Sequence, residues 1–218
     1  MLTIDKIKGI IFDYGGTIDS NGLHWAEVIW KAYETYQVSV AKADFRNVFV
    51  YGERILGKNP LVKPEHTFLD ASSQKKEDIA QWSYANARKH IDIARPILEQ
   101  LAQRYPLVLV SNFYGNIASV LKDFQLDHLF QTIVESAVVG IRKPDPAIFQ
   151  MGIDALHFAP NEVVVVGDSF DKDIVPATTL GCQTIWLKSI GWNPYKGTET
   201  ADAIITDFPQ IKEIFSLR

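Results

Sequence analysis

Val163-Val164-Val165-Val166-Gly167-Asp168-Ser169 places four β-branched residues in a row and ends them at a glycine and a carboxylate. A strand without polar alternation has both faces covered, as in a parallel sheet held between helices. Moving outward, the pattern recurs at 8–13, where Gly9-Ile10-Ile11-Phe12 runs into Asp13, and at 107–110, an apolar run that stops at Ser111-Asn112. Weaker strand signals lie at 132–136, 183–187 and 204–205. Helical signals separate them at 96–104, which has a proline at its start, and at 115–124, 146–156, 174–180 and 208–215.

Strands alternating with helices predict right-handed βαβ units, hence an α/β fold with a Rossmann-like, doubly wound parallel sheet core. Residues 24–91 break the alternation. Trp25, Val28, Ile29, Ala32, Tyr33 and Tyr36 recur at helical spacing, and so do Phe45, Val48, Phe49, Gly52, Ile55 and Leu56. After a break at 60–64 the pattern resumes over 78–90 with Ile79, Trp82, Ala85 and Ala87. The expected organisation is a catalytic core made of 1–21 and 93–218, with an inserted α-helical cap domain at 22–92.

Composition narrows the function classes. Hydrophobic residues make up 47% and charged residues 22%, which excludes a disordered or fibrous chain. The formal net charge is -4 and no Lys/Arg run is present, so neither nucleic acid nor a membrane surface is an expected partner. The single cysteine, Cys182, excludes an internal disulfide and is expected to pack as a small apolar residue at a strand start. The first apolar stretch is short and broken by Lys6, Lys8 and Gly9, so no signal peptide or membrane helix is expected, and the expected compartment is the cytoplasm. The oligomeric state is not written in these features.

Open α/β sheets bind ligands outside the carboxyl ends of their strands. Past the first strand come Asp13, Gly15, Gly16 and Thr17; past the second, Ser111 and Asn112. Beyond the third comes Lys143 in Lys143-Pro144-Asp145-Pro146, and past the fourth come Asp168 and Ser169, with Asp173 five residues after Asp168. Singly, each is an ordinary cap or turn residue. Jointly they offer three hard oxygen ligands of the kind Mg²⁺ takes, Asp13, Asp168 and Asp173, and two donors for phosphate oxygens, Ser111 and Lys143. Lys143 also offsets the repulsion among the carboxylates. A carboxylate held against a bound phosphate can attack phosphorus and form an aspartyl phosphate.

With these residues in view, the chain resembles the haloacid dehalogenase-like hydrolase superfamily. Asp13-Tyr14-Gly15-Gly16-Thr17-Ile18 is similar to its first motif, Asp-x-Asp-Gly-Thr, and Val110-Ser111-Asn112 to its second. The run from Gly140 to Phe149 resembles the lysine-bearing third motif, and Val166-Gly167-Asp168-Ser169 through Asp173 the fourth. The resemblance implies a Mg²⁺-dependent hydrolase of a small phosphorylated substrate. It implies Asp13 as nucleophile and metal ligand, the backbone carbonyl of Gly15 and the Asp168 carboxylate as further ligands, and Asp173 as an outer-sphere one. Ser111 and Lys143 match the phosphate binders, and Asn112 a neighbour of the site positioned through its backbone.

One position departs from the motif. Its second Asp, which in phosphatase members protonates the leaving group and then activates water, is Gly15 here. Losing such a group costs roughly 10²–10⁴-fold in rate. Three readings follow: a phosphohydrolase of reduced activity in which His24, Asp19, Glu53 or His66 substitutes; a phosphonatase-like hydrolase using Lys58; or a module that binds a phosphorylated ligand without turning it over. Retention of Asp168 and Asp173 argues against dehalogenation. Trp25, Trp30, Tyr33 and Tyr36 read first as core and second as pocket lining. Arg46, Arg54 and Lys58 read as a solvated face, Asp19 to Gly22 as a hinge, and Trp192, Asn193 and Pro194 as a late loop without a role.

Overall fold

The structure, a computed structural model, describes residues 1–58, 73–189 and 197–217. Its sheet comprises β1 (Gly9–Phe12), β2 (Leu107–Ser111), β3 (Thr132–Glu135), β4 (Val163–Gly167), β5 (Gln183–Leu187) and β6 (Ala203–Ile205). The order is β3-β2-β1-β4-β5-β6, and every pairing is parallel. Register sets Phe12 beside Leu109 and Val166. The residues that follow β1, β2 and β4 therefore emerge together at one edge. The winding reverses between β1 and β4, the place where such sheets form a ligand crevice.

Side chains of the central strands alternate between two covered faces. Ile10, Phe12, Leu107, Leu109, Val164 and Val166 join one cluster with residues of α3 (Ser73–Ala102), α4 (Ile117–Asp123) and α8 (Ile211–Ile214). Ile11, Val108, Val110, Val163 and Val165 join another with Phe149 and Ile153 of α6 (Ala147–Leu156) and Ala177 of α7 (Val175–Thr179). Each full burial of such a side chain contributes about 1.5–3 kcal/mol, so the alternation itself fixes register. This is the doubly wound sheet that the valine run announces. The short α5 (Ser136–Val139) follows β3. Cys182 lies buried in the second cluster, where burial pushes its thiol up to about 12.

Between β1 and β2 the described chain is helical: α1 (Trp25–Thr35), α2 (Lys42–Lys58) and α3. Ala26, Tyr33 and Phe45 form a separate apolar cluster there, joined by Trp30, Phe49 and Ile79. One expectation needs correcting. The helices foreseen at 78–90 and 96–104 are a single helix that runs through Pro96 and past residue 92 without a break. Proline removes a helical hydrogen bond, at a cost of about 3 kcal/mol. Ile91, Ala94, Ile97, Leu98 and Leu101 keep their helical phase across it and are all buried, and that burial outweighs the loss.

The segment expected to act as a hinge is held on both sides. Gly22 N donates to Gly16 O at 2.6 Å. Asn21 donates from Nδ2 to Asp207 at 2.7 Å and accepts from Phe208 N at 2.7 Å. Among the described residues no helix is long and apolar enough to cross a membrane.

Candidate active site

The short loop after β1 begins with Asp13, whose N–H is anchored on Val166 O of β4 at 2.9 Å. Its carboxylate meets Lys143 Nζ at 2.6 Å, and the same ammonium reaches Asp173 at 2.7 Å. All three side chains are buried. Thr17 Oγ1 lies 2.9 Å from Asp13 Oδ2 and 3.3 Å from Asp168 Oδ1, bridging two acids from opposite ends of the chain. A single wide turn at Phe170–Ile174 swings Asp173 inward, and Ser169 N fixes its second oxygen at 3.0 Å. Such π-type turns occur frequently at functional sites.

Two glycines make this approach possible. A Cβ on Gly16, whose φ is +102°, would lie 2.5 Å from the Asp168 carboxylate. One on Gly167 would lie 2.5 Å from Asp173. Any side chain at either position pushes a carboxylate out of the cluster.

Electrostatics shows what the cluster lacks. Burial raises Asp13 to about 6; Lys143 pulls it down and Asp173 pushes it back up. Burial and then the charges of Asp13 and Asp173 raise Asp168 well above the carboxylate range. For Lys143, burial opposes the charge, yet the two ion pairs prevail and hold its pKa above the ordinary value. Three carboxylates facing one ammonium leave buried negative charge uncompensated, which is costly. Carboxylate oxygens of Asp13, Asp168 and Asp173 lie within 4.8 Å of one another. A cluster of hard oxygen donors with a charge deficit is the donor set that suits a divalent cation such as Mg²⁺.

Ser111 is buried at the tip of β2 and lines the same cavity. Asn112 holds Lys143 in place: its Oδ1 accepts from Lys143 N at 2.9 Å, and its Nδ2 donates to Lys143 O at 3.1 Å. Both ends of the Asn112 amide are thus spent on the Lys143 backbone. Gly15 sits outside the left-handed region, and a Cβ there would meet only the Trp25 indole, at 3.8 Å.

A sequence profile of the haloacid dehalogenase-like hydrolases matches residues 7–181. The chain belongs to this family. Over 94 residues it is 35% identical to a glyceraldehyde 3-phosphate phosphatase of Pyrococcus furiosus, a match covering 41% of this chain and 38% of that protein. A phosphoglycolate phosphatase of Pasteurella multocida is 32% identical over 120 residues, covering 54% of this chain and 53% of the relative. The chain thus spans well under two thirds of the length of the curated relatives it matches first. At full length the fold is similar to that of the putative HAD-hydrolase YfnB of Bacillus subtilis bound to magnesium, with a TM-score of 0.61, 18% identity and coverage of 97% of this chain and 99% of that one.

The side chains considered as substitutes for an acid at position 15 separate clearly. Asp19 is buried, and burial pushes it up to about 7. Its two oxygens are already engaged, one by Gly16 N and one by Trp25 Nε1, each at 2.8 Å. His24 is pulled down to about 4 by burial, then by Lys172 and Arg46, and its Nδ1 caps α1 by accepting from Ala26 N. Glu53 lines the cavity wall. His66 and Trp192 to Pro194 lie outside the described residues, as do the side chains of Arg54 and Lys58.

The cavity encloses about 710 Å³ and runs from the acidic cluster up to the helical insertion. The aromatic stripe of α1 divides: Trp25 lines the cavity, whereas Trp30 and Tyr33 pack on Phe45. Arg46 is exposed and Tyr36 half-buried. Sequence reading gave no role to Thr17, although its hydroxyl four residues past Asp13 was the available signal. Phe113, Tyr114, Val120 and Phe124 were not singled out as wall residues, because no local pattern marks the side of a helix or loop that another element will face.

Proposed function

We propose that this chain is a Mg²⁺-dependent phosphohydrolase that forms an aspartyl phosphate at Asp13, with turnover lowered by the missing side chain at Gly15. The observation that carries the reading is the buried cluster of Asp13, Asp168, Asp173 and Lys143, drawn from distant chain segments into hydrogen-bond and ion-pair range. The phosphatase relatives support it at the level of reaction class. The metal would be held by Asp13, the Gly15 carbonyl and Asp168, with Asp173 one step out. When bound it supplies positive charge that lets an anionic carboxylate and an anionic phosphate approach each other.

The chain's own residues do the rest. Lys143 and Ser111 hold the phosphate oxygens, with Lys143 set by its Asn112 clamp. Asp13 attacks phosphorus as the bond to the leaving oxygen breaks, and water then cleaves the aspartyl phosphate. Thr17 keeps the attacking carboxylate oriented by donating to it. No side chain at position 15 is available to protonate the leaving oxygen. In this reading residues 22–92 form a cap over the core, supported by their separate apolar cluster and by the wall they give the cavity. The substrate is a small phosphorylated compound and the compartment the cytoplasm.

The test is steady-state hydrolysis of phenyl phosphate and of glycerol 2-phosphate, with Mg²⁺ and with a chelator. The expected result is slow, metal-dependent release from the aryl ester and very little from the alkyl ester. No turnover of either, combined with tight binding of a phosphate ligand, would overturn catalysis in favour of a binding module.

A further inference from the structure

The side wall of the cavity differs sharply from its acidic floor. Trp25 of α1, Phe49 of α2, Phe113 and Tyr114 beyond β2, Val120 of α4 and Phe124 just past it present aromatic and aliphatic surface to the same space. Its volume is in the range that holds drug-sized ligands rather than a two- or three-carbon fragment. Charge in the lining points the same way. Among the described residues the cavity is lined by six carboxylates, those of Asp13, Asp19, Glu53, Asp123, Asp168 and Asp173, and by three cations. One cation, Lys143, is committed to Asp13 and Asp173. The other two, Arg142 and Lys172, are exposed. Away from the metal cluster and Asp19 the lining charges balance, Glu53 and Asp123 against Arg142 and Lys172, so a leaving group with its own carboxylate, such as the glycolate of the Pasteurella relative's substrate, would lose hydration against the rings and find no cation in excess.

Gly15 adds a second, independent constraint. With no proton donor at that position, esters whose oxygen departs readily as an anion lose least. We infer that the substrates this site selects are phosphate monoesters of uncharged aromatic alcohols, with the phosphate at the acidic floor and the ring against the aromatic wall. The inference rests on the phosphohydrolase reading and adds to it the chemical class of the leaving group. In the step, an Asp13 oxygen bonds to phosphorus as the bond from phosphorus to the aryl oxygen breaks. The electron pair leaves on that oxygen as a phenolate, which takes its proton from solvent. Water then cleaves the aspartyl phosphate, restoring Asp13 and releasing inorganic phosphate.

The experiment compares kcat/KM for 2-naphthyl phosphate and 4-carboxyphenyl phosphate, whose phenols are similar in acidity but differ in charge and apolar area, with acetyl phosphate as a small reference. The expected preference for the naphthyl over the carboxyphenyl ester is roughly 10- to 100-fold, the scale on which apolar pockets discriminate. Val120→Asp, which puts a carboxylate into the wall, should cut that preference about tenfold. Should that variant fail to fold, Val120→Ala serves instead, with a smaller reduction of the same sign. Equal turnover of the two aryl esters, with acetyl phosphate also hydrolysed, overturns the selectivity and leaves the phosphohydrolase standing. Absence of turnover for all three with Mg²⁺ present overturns the phosphohydrolase reading and the inference with it.

Discussion

The carboxyl edge of the sheet and the aromatic wall above it share one cavity and are built by opposite means. At the edge, Asp13, Asp168, Asp173 and Lys143 follow strand ends; hydrogen bonds of 2.6–3.0 Å tie Asp13, Asp173 and Lys143, and two glycines make room for the Asp168 and Asp173 carboxylates. On the wall, residues from several helices and loops meet through ring contacts such as Tyr84 of α3 on Phe124 at 5.2 Å between centroids. Backbone register dictates the first region, and packing of separate elements dictates the second. On the proposed reading, reaction chemistry belongs to the edge and selection to the wall.

Three experiments bear on that division. Asp13→Asn should lower aryl phosphate turnover on the order of 10⁴-fold or more, as removal of a nucleophile does. A loss under tenfold in steady-state assays would show that the edge does not carry the chemistry. Gly15→Asp should raise alkyl phosphate turnover roughly 10²-fold while changing the aryl ester much less. The backbone there is compatible with a side chain, and only the Trp25 indole lies nearby. No gain in a variant that still binds Mg²⁺ would mean that proton supply is not what limits it.

The smallest effect concerns Asp19, which joins the two regions. Burial lifts its carboxyl from the ordinary 3.8 to about 7. Between those values the folded chain holds a proton that the unfolded chain has released, so this contribution to stability is present in acid and is lost as pH rises toward 7. Buried Asp13 and half-buried Asp168 act in the same direction, and together these three acids outweigh His24 and His90, whose imidazoles burial holds below the ordinary value and which act against them. Metal-free melting temperature should thus fall from pH 5 to pH 7, by an amount reflecting on the order of a few kcal/mol, and Asp19→Asn should flatten the slope. A melting temperature that climbs over this interval in chelator would reverse the assigned sign.

How much of this could be read from the chain follows the same division. Val163 to Val166 and Gly9 to Phe12 declare buried parallel strands because both faces of each must be apolar, and the acids after them inherit their position from that geometry. The lysine-bearing loop was legible through Lys143-Pro144-Asp145-Pro146, but the two-point hold of Asn112 on it was not, since it depends on how β2 and the later loop meet. Pro96 misled because a local rule about proline was overruled by side chains up to five residues away on either side that bury together. The role of Trp25 was ambiguous for a similar reason. Helical spacing shows that a residue lies on a common face with Trp30 and Tyr33, not where that face divides between a core and a cavity.

The bond from Trp25 to Asp19 spans two parts of the chain: the indole belongs to the first helix of the insertion, its acceptor to the loop that carries Asp13. Indole emission is sensitive to a carboxylate at this range, and to whether that carboxylate is ionised. With the other four tryptophans of the sequence replaced, Trp25 becomes an optical gauge of the joint, able to register a shift of α1 against the Asp13 loop in solution without any added label.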